Sequence, residues 1–229
     1  SIGLSNLNTG GATTAAADGF FWPGQGASQS GAVPTQICNG GTNSGASCTV
    51  ASQCPGGTCG LGLAQFTIET WFNRQGTGVT MSTGTGGIPA FVPLVTKGTG
   101  QADGSNVDEN YLFGINTAGN VIAADFEEGA SGASPGLNHP VSGVTPISNN
   151  TWYHAAATYD GTTWRLHLNG SLEATLVVGQ PPRSDSIQHA GLATALNSTG
   201  SPGGYFDGLI DEARIWSGAR TQQEILANI

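Results

Sequence analysis

The sequence predicts an all-β chain in which antiparallel sheets pack face to face as a sandwich. Three observations carry that expectation. Hydrophobic residues make up 38% of the 229 residues and fall in short alternating runs, the period-two pattern of half-buried strands. Apolar stretches all fall short of the roughly 18 residues a membrane helix needs. Two dipeptides that tolerate positive φ, Asp160-Gly161 and Asn169-Gly170, punctuate WYHAAATYDGTTWRLHLNGSLEATL (152–176). That stretch therefore reads as three strands joined by two tight hairpins. Residues 1–229 fit one large domain.

The elements follow in chain order. Residues 1–37 are an arm of Gly, Ala, Ser and Thr with one aromatic island, Phe20-Phe21-Trp22. Residues 38–60 are rich in Gly, lack apolar periodicity and hold all four cysteines, Cys38, Cys48, Cys54 and Cys59. Such a segment cannot fold on burial alone, and its spacing lacks the Cys-x-x-Cys and His of a zinc site. Two disulfides are expected, with three connectivities open, and they imply an oxidising, extracytoplasmic setting. FTIETWF (66–72) puts Phe66, Ile68, Thr70 and Phe72 on one face and Glu69 and Trp71 on the other. VPLVTKG resumes a strand after a Gly- and Thr-rich loop. YLFGI and NVIAADF pair as a hairpin across 116–119, between loops 98–109 and 128–151. In 163–168, Trp164, Leu166 and Leu168 alternate with Arg165 and His167, so the apolar set faces the core. Trp71, Trp152, Trp164 and Trp216 all lie in strands and are assigned to packing, and His154 to the core. At the C-terminus, Thr221 and Glu224 have capping-box spacing, and Ile225, Leu226 and Ile229 give a short helix an apolar side.

GGYFDGLIDEARIW (203–216) reads as one long strand with a polar interruption. Phe206 and Ile210 share one alternation phase, Ala213 and Ile215 the other. If both pairs face the core, a β-bulge falls near Asp211-Glu212. Glu69 and Arg214 are then a candidate buried ion pair between neighbouring strands.

Together with FTIETWF, LVTKG (94–98), YLFGINTAGNVIAADFE (111–127) and the triple-strand stretch, this strand resembles the laminin-G-like branch of the concanavalin A-like lectin/glucanase superfamily over roughly residues 61–229. The resemblance implies a two-sheet antiparallel jelly roll with a short C-terminal helix. It also implies a first strand before FTIETWF, within about 18–34, which makes 38–60 a stapled insertion. Related domains often carry a structural calcium at the position of Asp211. On that resemblance Asp211 is the leading metal ligand, with Asp207 and Asp18 as companions. Pairing of Asp211 or Glu212 with Arg214 is the competing explanation.

Charged residues are only 9% of the chain, Lys97 is its sole lysine, and the net charge is −9. A nucleic-acid partner, which needs clustered Lys and Arg, is excluded. Hairpin geometry puts loops 98–109 and 128–151 on one rim, gathering Asp103, Asp108, Glu109, Glu127 and Glu128 with Tyr111. This rim is either solvated or bound to a hard cation such as calcium. Glucanases of the resembled superfamily use Glu-x-Asp-x-x-Glu. Only Asp125-Phe126-Glu127 approaches it, without the remaining acids. His139, His154, His167 and His189 have no metal spacing.

The function expected is therefore non-catalytic: an extracellular recognition or adhesion module, its export signal already removed, binding a glycan or protein partner with structural calcium. The rim acids, Tyr111, Tyr205 and Trp22 are the candidate contacts. A structural subunit of an extracellular assembly, self-associating through its weakly charged surface and N-terminal arm, is the alternative. A polysaccharide-cleaving enzyme ranks third.

Overall fold

The computed structural model describes residues 20–21, 36–43, 46–48, 51–100, 109–184, 190–197 and 201–229, without side-chain description for some strand residues near the N-terminus. Strand β1 (Phe20–Phe21) is followed by β2 (Gln36–Gly40), β3 (Ser47–Cys48) and β4 (Gly57–Gly60). Then come β5 (Phe66–Arg74), β6 (Phe91–Lys97), β7 (Tyr111–Asn116), β8 (Val121–Asp125) and β9 (Val141–Ser142). The hairpin strands are β10 (Trp152–Tyr159), β11 (Thr163–Leu168) and β12 (Ser171–Val177). The chain closes with β13 (Ala190–Leu192), β14 (Ala195–Leu196), β15 (Pro202–Gly203), β16 (Gly208–Trp216) and helix α1 (Gln222–Leu226).

These strands make a six-stranded sheet, β1-β13-β6-β7-β8-β9, and a five-stranded sheet, β12-β11-β10-β5-β16. The core lies between them, as the alternation requires. Phe66, Ile68 and Phe72 of β5, Ala155, Ala157 and Tyr159 of β10, and Trp164 and Leu166 of β11 all point into it with no exposure. Trp164 packs against Phe66, Phe126 and Tyr159 at centroid separations of 5.4, 5.5 and 5.4 Å. Its assignment to packing holds. One strand pair departs from an all-antiparallel sandwich: β1 runs parallel to β13. No hairpin joins these two strands, so no turn dictates their direction.

The insertion is more ordered than its composition implies. β3-β2-β4 form a separate three-stranded sheet. A Cys38–Cys54 disulfide staples it, and both residues are 1% exposed. That bond eliminates two of the three connectivities; the side chains of Cys48 and Cys59 lie outside the described set.

The bulge in β16 is present. Pairing to β5 steps from Asp211↔Trp71 to Arg214↔Glu69, so three steps on β16 match two on β5. Glu212 is the extra residue and sits at φ 48, a left-handed conformation uncommon for a side chain larger than Gly or Asn. It lets Ala213 and Ile215 reach the core with no exposure, while Ile210 still packs against it. The capping box also forms: Glu224 donates its backbone N–H to Thr221 Oγ1, and Thr221 donates its own to Glu224 Oε2. Only Ile225 of the helix's apolar set is buried; Leu226 and Ile229 are 51% and 46% exposed.

Truncating Trp164 to Ala is expected to cost about 3–5 kcal/mol, since a fully buried indole leaves a cavity among three other rings. Urea denaturation should show the loss as a lower midpoint at unchanged slope.

Candidate functional site

The five-stranded sheet turns a polar face outward. Cross-strand register aligns its side chains in rows: His167, Ala156, Glu69 and Arg214 in one, and His154, Trp71 and Asp211 in the next. Trp152 follows opposite Asn73. Glu69 is fully buried at the centre, under the segment that runs from β16 into α1. Its Oε1 accepts a 2.8 Å hydrogen bond from Trp216 Nε1 and lies 3.7 Å from Arg214 and 3.5 Å from Arg220. The pair read as Glu69–Arg214 thus has two further members. The Arg220 guanidinium also lies 4.0 Å over the Trp216 ring. His154, 1% exposed, has its imidazole pushed down to about 4 by burial and then by Arg214, Arg220 and His167, so it is neutral at ordinary pH.

Beside this network lies an open cleft of about 270 Å³ lined by Trp71, Trp152, Asp211 and Glu212. Trp152 stands at the first position of β10 and is 43% exposed. Trp71 is half-buried and packs edge-on to His154 at 5.5 Å. The bulge sets the acids. Asp211 Oδ1 accepts the Glu212 N–H at 2.8 Å, and the Glu212 carboxylate pairs with Arg214. Two indole faces with two carboxylates at their edge can stack a flat apolar ring face and accept hydrogen bonds from hydroxyls around it.

Trp71, half-buried against His154, packs as assigned, whereas Trp152, also assigned to packing, is left 43% exposed. Both occupy the outward phase of their strands, the phase opposite Phe72 and Tyr153. That phase was legible, but their gathering across β5, β10 and the β16 bulge depends on register.

The rim residues behave differently from the expectation of an open acidic rim. Glu109, the last residue of loop 98–109, does meet loop 128–151: it accepts a hydrogen bond from Asn138 Nδ2 at 3.1 Å, and its carbonyl accepts the Glu127 N–H at 3.0 Å. But Glu109, Tyr111, Glu127 and Glu128 are 0–2% exposed, so they are interior groups rather than ligand contacts. Tyr111 packs on Phe66 at 4.9 Å and donates to Leu61 O. Glu127 lies 3.4 Å from Arg183, and Glu128 lies 2.9 Å from His139. Internal partners have taken the place of solvent: Asn138 and His139 come from loop 128–151, and Arg183 from the segment after β12. Asp103 and Asp108 lie outside the described residues.

Glu109 and Asp125 lie fully enclosed in that interior. Asn138 Nδ2 donates to Glu109 at 3.1 Å and Thr83 Oγ1 donates to Asp125 at 2.5 Å. Glu109 Oε1 and Asp125 Oδ1 have no hydrogen-bond partner among the described residues. Burial pushes Asp125 up to about 7, and burial followed by Asp125 and Glu127 raises Glu109. Both Asp125 and Glu127 are enclosed, so neither has an open path to a glycosidic bond.

Asp211 and Asp207 are both exposed. Among the described residues no three His, Cys, Asp or Glu side chains gather where they could hold a metal ion. Asp18 and Trp22 lie outside the described residues. Tyr205 is 36% exposed, away from the Trp cleft, with its hydroxyl donating to Pro202 O at 3.3 Å.

A family model described as the concanavalin A-like lectin/glucanases superfamily, in its laminin-G form, matches residues 41–226. The chain belongs to this superfamily. The match reaches some twenty residues further toward the N-terminus than the motifs alone, into the stapled insertion. Among solved structures, the chain is similar to the CBM40 domain of the Ruminococcus gnavus IT-sialidase. Bound to α2,3-sialyllactose, that domain superposes with TM-score 0.53 at 17% identity, covering 72% of this chain and 83% of that one. Without ligand it gives 0.52 at 18% identity, over 72% and 83%. Bound to α2,6-sialyllactose it gives 0.51 at 17% identity, over 72% and 82%. At such identities the likeness is one of fold. No curated protein sequence matches the chain. Among the described residues, no helix of this superfamily member is long and apolar enough to cross a membrane.

A pH test isolates the buried acids. Asp125 keeps its proton in the folded state up to about 7, whereas the unfolded carboxyl loses it near 4. Between these values the folded state binds more protons, so Asp125 makes stability fall as pH rises, by up to ~1.4 kcal/mol per pH unit. The depressed His154 acts in the opposite sense between about 4 and 6.5, so the wild-type curve alone is ambiguous. D125N should therefore gain stability relative to wild type as pH is raised from 4 to 7. Paired thermal melts across that range measure the difference.

Proposed function

We propose that this protein is a non-catalytic glycan-binding module of an extracytoplasmic protein, and that the cleft of Trp71, Trp152, Asp211 and Glu212 receives a sugar ring. The carrying observation is the exposed indole of Trp152 beside two carboxylates on the outer face of the five-stranded sheet. An indole left 43% exposed offers an apolar surface that a sugar's C–H face can cover. The adjacent acids orient the ring through its hydroxyls. The superfamily membership supports this reading, as does the structural likeness to a carbohydrate-binding module solved with sialyllactose. The Cys38–Cys54 disulfide supports an oxidising location. The enclosed acids of the opposite loops support a binding role rather than a hydrolytic one.

The test is a glycan array spanning cello-, xylo- and arabino-oligosaccharides and sialyllactose, followed by calorimetry on the best ligand. W152A should weaken binding about tenfold. Losing about 60 Å² of covered apolar surface costs about 1.5 kcal/mol. D211N should weaken binding less, by removing a charged acceptor while keeping a neutral one. Titration in EDTA and in calcium tells whether the acids act alone: unchanged affinity assigns binding to the indoles and carboxylates themselves, and a loss in EDTA assigns an ion to the module. If no glycan binds, or W152A binds as wild type, the cleft is not the site.

A further inference from the structure

A second concavity lies on the same sheet face, on the other side of the C-terminal segment. Its volume is about 460 Å³, and Asp160, Arg165, His167, Leu172, Arg220 and Gln222 are among the residues that line it. We propose that it is a second ligand site, one that takes the carboxylate or sulfate group of an acidic sugar. The proposal rests on the reading of the protein as a glycan binder, but on different residues.

Four observations support it. First, cations line it. The chain has only 6 Lys and Arg against 15 acids, yet two of them, Arg165 and Arg220, face this one concavity, with Asp160 the only acid among its lining residues. Secondly, the Arg165 side chain is 40% exposed and commits one terminal nitrogen to Asp160 at 2.7 Å. A guanidinium has five N–H donors, so several remain for an oxyanion in the planar geometry such groups favour. Thirdly, His167 is 2% exposed and its Nδ1 has no hydrogen-bond partner. Burial and then Arg165 lower its pKa, leaving a neutral imidazole whose donor can complete an anion site. Fourthly, the wall is already fixed. Arg220 is held by Glu69, by Glu224 O at 2.9 Å and by the Trp216 ring. Gln222 donates to Gly170 O at 2.8 Å. Leu172, 52% exposed, adds an apolar patch against which the body of a sugar can lie.

The Trp cleft has the opposite character, with two acids and Arg214 already engaged. The two concavities therefore select differently. The cleft takes uncharged rings, and the cavity takes an anionic substituent.

Isotope-edited NMR titration with glucuronate, glucose 6-sulfate, glucose and inorganic sulfate tests the proposal. Glucuronate and glucose 6-sulfate should shift signals of Arg165, Gln222 and their neighbours. Each should bind at least tenfold more tightly than glucose and more tightly than sulfate alone. R165Q should lose tenfold or more of that affinity, and W152A should leave it unchanged. Glucose binding as well as glucuronate would overturn the proposal, and so would sulfate matching the sugar acids. Loss of glucuronate binding in W152A would move the acid to the other cleft and overturn it too. Should R165Q fail to fold, R165K is read instead. It keeps the charge without the planar fork and must weaken glucuronate while leaving glucose unchanged; equal affinity for glucuronate overturns the proposal. Failure of the cleft reading looks different: neutral oligosaccharides would then ignore W152A whatever glucuronate does.

Discussion

The outer face of the five-stranded sheet depends on one buried carboxylate. Glu69 has no exposure in the middle strand of the β10-β5-β16 group. A lone charge in that position is untenable without partners. Its Oε1 is met by Trp216, Arg214 and Arg220, which come from the end of β16 and the segment that follows, while Oε2 has no hydrogen-bond partner among the described residues. To reach Glu69 the chain must fold back across the sheet it has just left. Thr67 reinforces the path by donating to Gly218 O and accepting from the Arg220 N–H, each at 2.8 Å. Both concavities on this face border that returning segment or the strand that leads into it.

The bulge at Glu212 is the second requirement. A regular β16 would present Asp211, Ala213 and Ile215 on the same side, leaving either the aspartate in the core or two apolar residues in water. One extra residue at φ 48 resolves the conflict. It also leaves two carboxylates adjacent beside Trp71. A strained residue beside an open aromatic surface fits the tendency of unusual backbone to accumulate at functional positions.

Much of this was legible in the sequence, for identifiable reasons. Alternation fixed the inward faces of β5, β10 and β11. The dipeptides at 160–161 and 169–170 fixed their connections, and the phase change between Ile210 and Ala213 revealed the bulge. The capping box marked α1. The site was less legible because it depends on which strands are neighbours and on what covers them. Trp71 and Trp152 are 81 positions apart by number, and only the β5–β10 register makes them near neighbours. The acids at 109, 127 and 128 looked solvated because sequence records charge but not enclosure. Loop 128–151 supplied Asn138 and His139 as partners instead, and the segment after β12 supplied Arg183. The indole at 152 was read as packing because the outward phase of a strand does not reveal which of its positions will be left uncovered.

The extra residue in β16 makes that strand tolerant of one deletion and intolerant of its neighbours. Removing Glu212 takes away the residue that has no place in the ladder, so Asp211 stays opposite Trp71 and Arg214 opposite Glu69. Ala213 and Ile215 keep their inward phase, and only the carboxylate that engages Arg214 is lost. Removing Ile215 instead would turn Trp216 inward, because one residue reverses the alternation of all that follows, and would take the indole N–H away from Glu69. The same loss of one codon is thus a local edit at the bulge and an inverted surface three positions later.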